Sequence, residues 1–353
     1  MREKKYYRLY CDIKTKILNG EYRAEEKLPS KRVMADKSGC STITVEAAYR
    51  LLLDEGYIRA VERSGFYVCN IESLFDGKNP IAQKTLTLIE EKTDGVSHDF
   101  EYSVWFKTIR KVIADNGERL FIKSPNEGCA VLRNAISEYL LRYRGMYAEP
   151  ERIIIGSGAE QLYETVVRMV GAYKKYGIEY PSYSQIEAVY RDSGAEVVHL
   201  LMGTDGIESE ALRDADIDVL HVTPFHSYPT GVTASIKKRY EYLKWAQSKE
   251  NRYIVEDDFD SEFFMPGRPI ESLYSLDSKD TVIYMNTFSK SLSPSMRMGY
   301  MILPESLIDV YNEKLKMYSC TVPVLDQYVL AEFISSGSFE RHLNRARKLL
   351  RDF

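Results

Sequence analysis

The chain has 353 residues, 44% of them hydrophobic and 28% charged, with a formal net charge of −4. That length calls for two or three domains, and the composition supports packed cores rather than wholesale disorder. No apolar run approaches a membrane span, "MREKKYYRLY" has no signal-peptide pattern, and the five cysteines and five histidines lie scattered without ligand spacing. Neither a membrane partner, a disulfide framework nor a metal site is indicated, and a cytoplasmic location is expected. Charge is uneven, however. Residues 1–70 carry 14 Lys and Arg against 10 Asp and Glu, a net of +4 that leaves −8 for the remainder. A basic head on an acidic body suggests that the head alone meets a polyanion.

In chain order, Leu9, Ile13 and Ile17 repeat at four-residue spacing and predict a first helix that Gly20 stops. In "LPSKRVMADKSG", Pro29 and Ser30 start a second helix with Ser30 as N-cap, and Gly39 closes it. "CSTITVEAAYRLLLDEGY" predicts a third helix with Val45, Ala48, Tyr49 and Leu52 inward and Gly56 at its C-cap. "YIRAV" and "GFYVC" then read as a hairpin turning at Arg63, Ser64 and Gly65. Together these make a winged helix-turn-helix.

Ser41, Thr42 and Thr44 open the third helix with short hydroxyl side chains suited to base edges and phosphates. Arg50 on the same helix and the turn residues Arg63, Ser64 and Gly65 join the set of candidate DNA contacts. Lys31 and Arg32 begin the second helix, where dipole and side chains together would hold a backbone phosphate. Taken singly, each is equally well an ordinary cap or a solvated basic face. The ordered string resembles the GntR-type winged helix, whose P-S-x-R, small-x-x-T-V and G-x-G-x-F-V signatures correspond to Pro29–Arg32, Ser41–Val45 and Arg63–Val68. The wing departs in having one glycine, Gly65. The resemblance implies double-stranded operator DNA as partner.

Residues 71–98 lack a sustained period and carry Gly77, Pro80 and Gly95, as a linker would. Beyond them "RIIIGSG", "KYGIEYP", "AEVVHLL", "IDVLHVTP", "RYIVEDD" and "DTVIYMN" read as strands, with helices at 159–171 and 236–249 between them. Alternation of this kind predicts an α/β domain with a mostly parallel sheet and its ligands at the C-terminal strand ends.

Candidate groups fall at those ends. In "GSGAEQ", Gly158 permits close approach, and the backbone N–H groups of Ala159 and Glu160 face an anion. Tyr183 follows another strand as a stacking platform, and "TPFHSYPTG" forms a rigid turn. "IVEDDFDSE" ends a strand in Asp257 and Asp258. "YMNTFSKSLSPSMRMGY" sets a buried-looking Lys290 beside Thr287 and Ser289, with Arg297 seven residues on. A lysine that condenses with an aldehyde needs a neutral amine, favoured by desolvation and neighbouring positive charge. A phosphate needs hydroxyls, a helix N-terminus and an arginine fork, and a pyridine nitrogen needs a carboxylate. Those are the requirements of pyridoxal 5′-phosphate (PLP).

This stretch resembles the class I, fold-type I aminotransferase domain, placed at 99–353. A GntR-type head at 1–70 fused to such a body is identified as the pattern of the MocR (GabR-like) transcriptional regulators. The resemblance implies Lys290 as the internal aldimine lysine, Asp257 as partner of the pyridine nitrogen and Tyr183 stacked on the ring. Thr287, Ser289, Arg297 and the 158–160 backbone would hold the phosphate, and a homodimer would form the site. Where the family has a tyrosine whose hydroxyl reaches the ring oxygen, this chain has Phe259, with Tyr228 as candidate substitute; Gln185 stands where a family branch has an arginine. Family members continue about a hundred residues past "RHLNRARKLLRDF" into a small C-terminal domain. Truncation, or a different mode of ligand recognition, is therefore expected. Three functions remain open: a PLP-dependent regulator sensing a small amino compound, a working aminotransferase with a DNA-binding appendage, and a regulator whose body only dimerises.

Overall fold

The computed structural model describes residues 5–62, 64–70, 100–263 and 271–351. It comprises two compact units, Met1–Lys92 and Thr93–Phe353. The linker expected over 71–98 and the wing residue Arg63 lie outside the described residues.

The first unit holds helices α1 (Lys5–Leu18), α2 (Lys31–Ser38) and α3 (Thr42–Asp54), then antiparallel strands β1 (Ile58–Val61) and β2 (Gly65–Val68). Local chemistry sets these bounds. Ser30 Oγ accepts from the Val33 amide, Ser41 Oγ accepts from the Thr44 amide, and Gly39 closes α2 in the left-handed conformation. The third helix is capped at Glu55, one residue before the expected Gly56. Leu9, Ile13 and Ile17 of α1 pack on Val45, Ala48, Tyr49 and Leu52 of α3 in one core. Each such burial contributes about 1.5–3 kcal/mol before entropy is counted. The Tyr49 hydroxyl donates to the Pro29 carbonyl at 2.8 Å, tying α3 to the entrance of α2.

The second unit is built on seven strands: β3 (Ile153–Gly156), β4 (Lys175–Tyr180), β5 (Glu196–Leu201), β6 (Val219–Val222), β7 (Tyr253–Asp257), β8 (Val282–Thr287) and β9 (Gly299–Ile302). Their spatial order is β3-β9-β8-β7-β6-β4-β5. All run parallel except β9, which pairs antiparallel with β3 and β8 on either side. Six strands stand where the apolar runs predict them, and β9 is additional.

Alternate residues serve opposite faces of the sheet. Ile154, Ile283, Met285 and Met301 pack with helices Ala159–Val170, Ser184–Asp192 and Glu305–Leu315. Ile153, Ile155, Tyr284 and Ile302 pack on the other face with Ala130–Arg144, Val324–Ser335 and Ser338–Arg351. Ile254, Leu220 and Val282 continue that face beneath Ile236–Gln247. Burial on both faces is why these strands are near-continuous apolar runs. Among the described residues no helix is long and apolar enough to cross a membrane.

Candidate functional site

On the head, Thr42, Ile43, Glu46 and Arg50 are exposed along α3, opposite its buried stripe. Ser41 and Thr44 are partly committed to each other, their hydroxyl oxygens 2.9 Å apart within the cap. Arg32 is exposed, whereas the Lys31 ammonium pairs with Glu46 at 2.6 Å across α2 and α3. Ser64 Oγ meets the Tyr67 hydroxyl at 2.7 Å. Gly65 has a φ of +126°, a conformation that favours glycine at the wing turn.

In the body, parallel strands deliver their C-terminal ends to one edge of the sheet. Asp257 ends β7 and Thr287 ends β8; Gly158 lies two residues past β3 and Tyr183 three past β4. Because β9 is antiparallel, its N-terminal end lies at this same edge, and Arg297 precedes it by two residues. Gly158 N-caps helix Ala159–Val170 with a φ of +98°, and a Cβ there would stand 3.3 Å from Arg297 Nη2. The arginine therefore lies beside the N-cap of that helix. Its guanidinium is hydrogen-bonded to the carboxylate of Glu160 in the first turn.

Asp257 is buried and accepts from the Tyr163 hydroxyl. Burial first, and then Asp257 itself, raise the Tyr163 phenol well above its usual range, so it stays a donor. His221 Nε2 lies 3.6 Å from Asp257, and its Nδ1 is 2.7 Å from the Tyr190 hydroxyl. Asp258 serves a different purpose. It faces Arg144 at 2.9 Å and accepts from Tyr284 at 2.7 Å within the core.

Lys290 departs from expectation: its side chain is 46% exposed rather than buried. In the short helix Phe288–Ser291, Phe288 and Ser291 turn inward at three-residue spacing and carry Lys290 outward. Its ammonium is 2.8 Å from Asp260 Oδ2 and 4.8 Å from the centre of the Phe259 ring. His226 Nδ1 shares that same oxygen at 2.9 Å, and the Asp260 side chain is 2% exposed. Arg297, expected as the neighbouring positive charge, instead has Glu160 as its ion-pair partner. Ser289 Oγ donates to the Met296 carbonyl at 3.1 Å, closing the connection between β8 and β9. Thr287 is buried at the end of β8. Tyr183 donates to Gln185 at 2.6 Å and meets Tyr228 edge-on, ring centres 6.1 Å apart.

The sequence reading missed Asp260, His226, Tyr163 and His221. Asp260 and His226 were in view within "IVEDDFDSE" and "TPFHSYPTG", but nothing local shows that residues 34 positions apart share a proton. Among the described residues no His, Cys, Asp and Glu grouping could hold a metal ion.

Residues 5–68 match the family of bacterial regulatory proteins of the gntR type, and residues 91–352 match aminotransferase class I and II. The chain is 34% identical to the uncharacterized HTH-type transcriptional regulator YdeL of Bacillus subtilis, across 98% of this chain and 76% of that one. It is 29% identical to a probable rhizopine catabolism regulatory protein, MocR, of Rhizobium meliloti, over 97% of this chain and 74% of the relative. Among solved structures, an archaeal alanine:glyoxylate aminotransferase superposes with a TM-score of 0.64 at 24% identity, covering 70% of this chain and 64% of that one. The Thermus thermophilus α-aminoadipate aminotransferase LysN, solved with N-(5′-phosphopyridoxyl)-L-leucine, gives 0.64 at 25% identity, covering 73% and 66%. The chain thus spans about two thirds of the length of these enzymes. With a gntR-type head, an aminotransferase class I and II body and relatives of the same composite build, the chain belongs to the MocR-like GntR family of transcriptional regulators.

Proposed function

We propose that this regulator holds pyridoxal 5′-phosphate in its body through Lys290 and there senses a small amino compound, changing how its head engages operator DNA. The observation that carries the reading is the meeting of Gly158, Arg297 and a helix start at one sheet edge, with Asp257 ending β7 and Lys290 in the single helical turn that follows β8. Glycine and arginine leave room and charge for a phosphate. Buried Asp257, held by Tyr163, supplies the carboxylate a pyridinium nitrogen requires. When bound, the cofactor supplies an aldehyde that condenses with amines and a ring that withdraws electrons.

The chain's own residues have separate tasks. Lys290 would be the covalent anchor, and its ammonium is held in place by Asp260 Oδ2, the oxygen that His226 Nδ1 also meets. Tyr183, whose ring Tyr228 meets edge-on, would stack on the cofactor ring. The amides of Gly158, Ala159 and Glu160 would hold the phosphate together with Thr287, Ser289 and Arg297. Phe259 supplies no hydroxyl, Tyr228 is the candidate substitute, and Asp260 with His226 forms a polar group beside Lys290 Nζ. Double-stranded DNA meets Arg32, Thr42 and Arg50 of the head, with Lys31, Ser41, Thr44, Arg63, Ser64 and Gly65 around them. The working unit is a cytoplasmic homodimer.

The deciding experiment is the visible absorbance of the protein mixed with PLP, beside a Lys290→Ala control. A band that the control lacks, and that shifts on adding amines, supports the reading. Sustained multiple turnover between an amino acid and a keto acid would favour a working aminotransferase instead. Equal spectra in both proteins would leave a regulator whose body only assembles it.

A further inference from the structure

Ile43 is 77% exposed, the most exposed large hydrophobic side chain among the described residues of the head. It stands in the first turn of α3, between Thr42 and Thr44. The core has no use for it there, since Val45, Ala48, Tyr49 and Leu52 already fill the inner face of the helix at 0% exposure. Nor does it favour the helix, because a β-branched residue loses side-chain freedom against the preceding turn. An isoleucine in water at such a position calls for a partner.

Its surroundings narrow that partner. Ile43, Glu46, Ala47 and Arg50 share one face at three- and four-residue spacing and line the same open groove. Ser41 and Thr44, two of the three hydroxyls around it, are engaged with each other in the cap. Glu46, one turn along, is paired with Lys31 at 2.6 Å, so neither side chain offers this part of the face a free charge for a phosphate. Base edges remain as the surface the first turn can meet, while Arg32 and Arg50 supply positive charge around it, on a head whose net charge is +4. In the major groove of duplex DNA the apolar feature of a base edge is the 5-methyl group of thymine.

We propose that Ile43 reads a thymine methyl group in the major groove and so sets part of the operator sequence. Ile43 is then a specificity-determining residue, separate from the polar contacts expected of Thr42 and Arg50. Shielding about one methyl group from water corresponds to a change of about fourfold in affinity.

The test uses the full chain. It first selects duplexes from a random double-stranded library. Each thymine of the selected duplex is then replaced by uracil, which lacks only the methyl group, and affinity is measured by fluorescence anisotropy at fixed salt. Wild type should lose about fourfold at one position of a site, or at its symmetric pair. Ile43→Ala should lose about the same on the thymine duplex and nothing further on the uracil duplex. Ile43→Val should fall between the two. Ile43 is exposed, so unchanged thermal midpoints are expected and exclude misfolding as a cause. Uracil tolerated everywhere, or a uracil penalty that persists in Ile43→Ala, overturns the proposal while leaving DNA binding intact. No enrichment of any sequence overturns both.

Discussion

With PLP held as proposed, Glu160→Gln is expected to tighten its binding about tenfold, because the native carboxylate occupies the arginine assigned there to the phosphate. The Glu160 and Arg297 side chains are 42% and 55% exposed, so their ion pair by itself contributes at most about 1 kcal/mol. Repulsion matters more. A phosphate brought to Arg297 carries a charge of about −1.5 to −2 and would stand about 5 Å from the Glu160 carboxylate. At the water-like dielectric of so exposed a site, that repulsion is about 1.5 kcal/mol, or about tenfold in the dissociation constant. The assay is a titration of visible absorbance with PLP for wild type and Glu160→Gln, repeated at high salt. Near 1 M salt the difference should shrink, since charges are then screened beyond about 3 Å. Pyridoxal, which has no phosphate, should bind the two proteins alike. Equal PLP affinities, or an equal gain with pyridoxal, would refute the electrostatic argument.

Three further outcomes are expected. Arg144→Ala strands the fully buried Asp258 without its cation and should cost the body about 3–5 kcal/mol; urea unfolding followed by tryptophan fluorescence reads this, since Trp105 and Trp245 both lie in the body. Tyr49→Phe removes the hydrogen bond to the Pro29 carbonyl and should destabilise the head by about 1 kcal/mol, measured as faster hydrogen exchange of α3 amides. Burial raises the Glu256 carboxyl from 4.5 to about 7. The folded protein therefore keeps a proton that the unfolded chain releases; the resulting stability is full below about pH 4.5 and is lost as pH rises toward 7. Glu256→Gln should lack that decline, and thermal midpoints of wild type and variant that run parallel across this range would refute it.

What was legible in the sequence was local or periodic. The hydroxyls of Ser30 and Ser41 meet amides three residues on, so the caps could be read from neighbours alone. Six strands could be read because both faces are buried and the runs are apolar throughout. Residues 300–303 form an apolar run of the same kind, but it is short and directly follows the lysine segment, and its antiparallel place depends on a partner more than a hundred residues away in the case of β3. Lys290 looked buried because Phe288, Ser291 and Leu292 are buried, but a single helical turn separates the fates of adjacent residues. Asp260 and His226 were hidden for a related reason. Their meeting is made by β6 and β7 lying side by side, a fact of topology rather than composition. Phe259, by contrast, stands out in the amino-acid sequence by its lack of a hydroxyl, and the fold sets its ring against the lysine.

The antiparallel course of β9 has a consequence for how this site can change over time. Lys290 and Arg297 lie on one hairpin connection whose two ends are clamped, Thr287 facing Gly299 across the ladder. A slip of one residue in that pairing would exchange the side chains β9 presents to its two packed faces, setting Tyr300 and Ile302 where Met301 now fits, so the clamp resists adjustment. Residues gained or lost between the two ends must therefore be taken up in the loop itself. The distance between Lys290 and Arg297 can drift by insertion or deletion while the sheet keeps its register. In descendants of this chain the hairpin is where the site can be resized for a different ligand without rebuilding the fold.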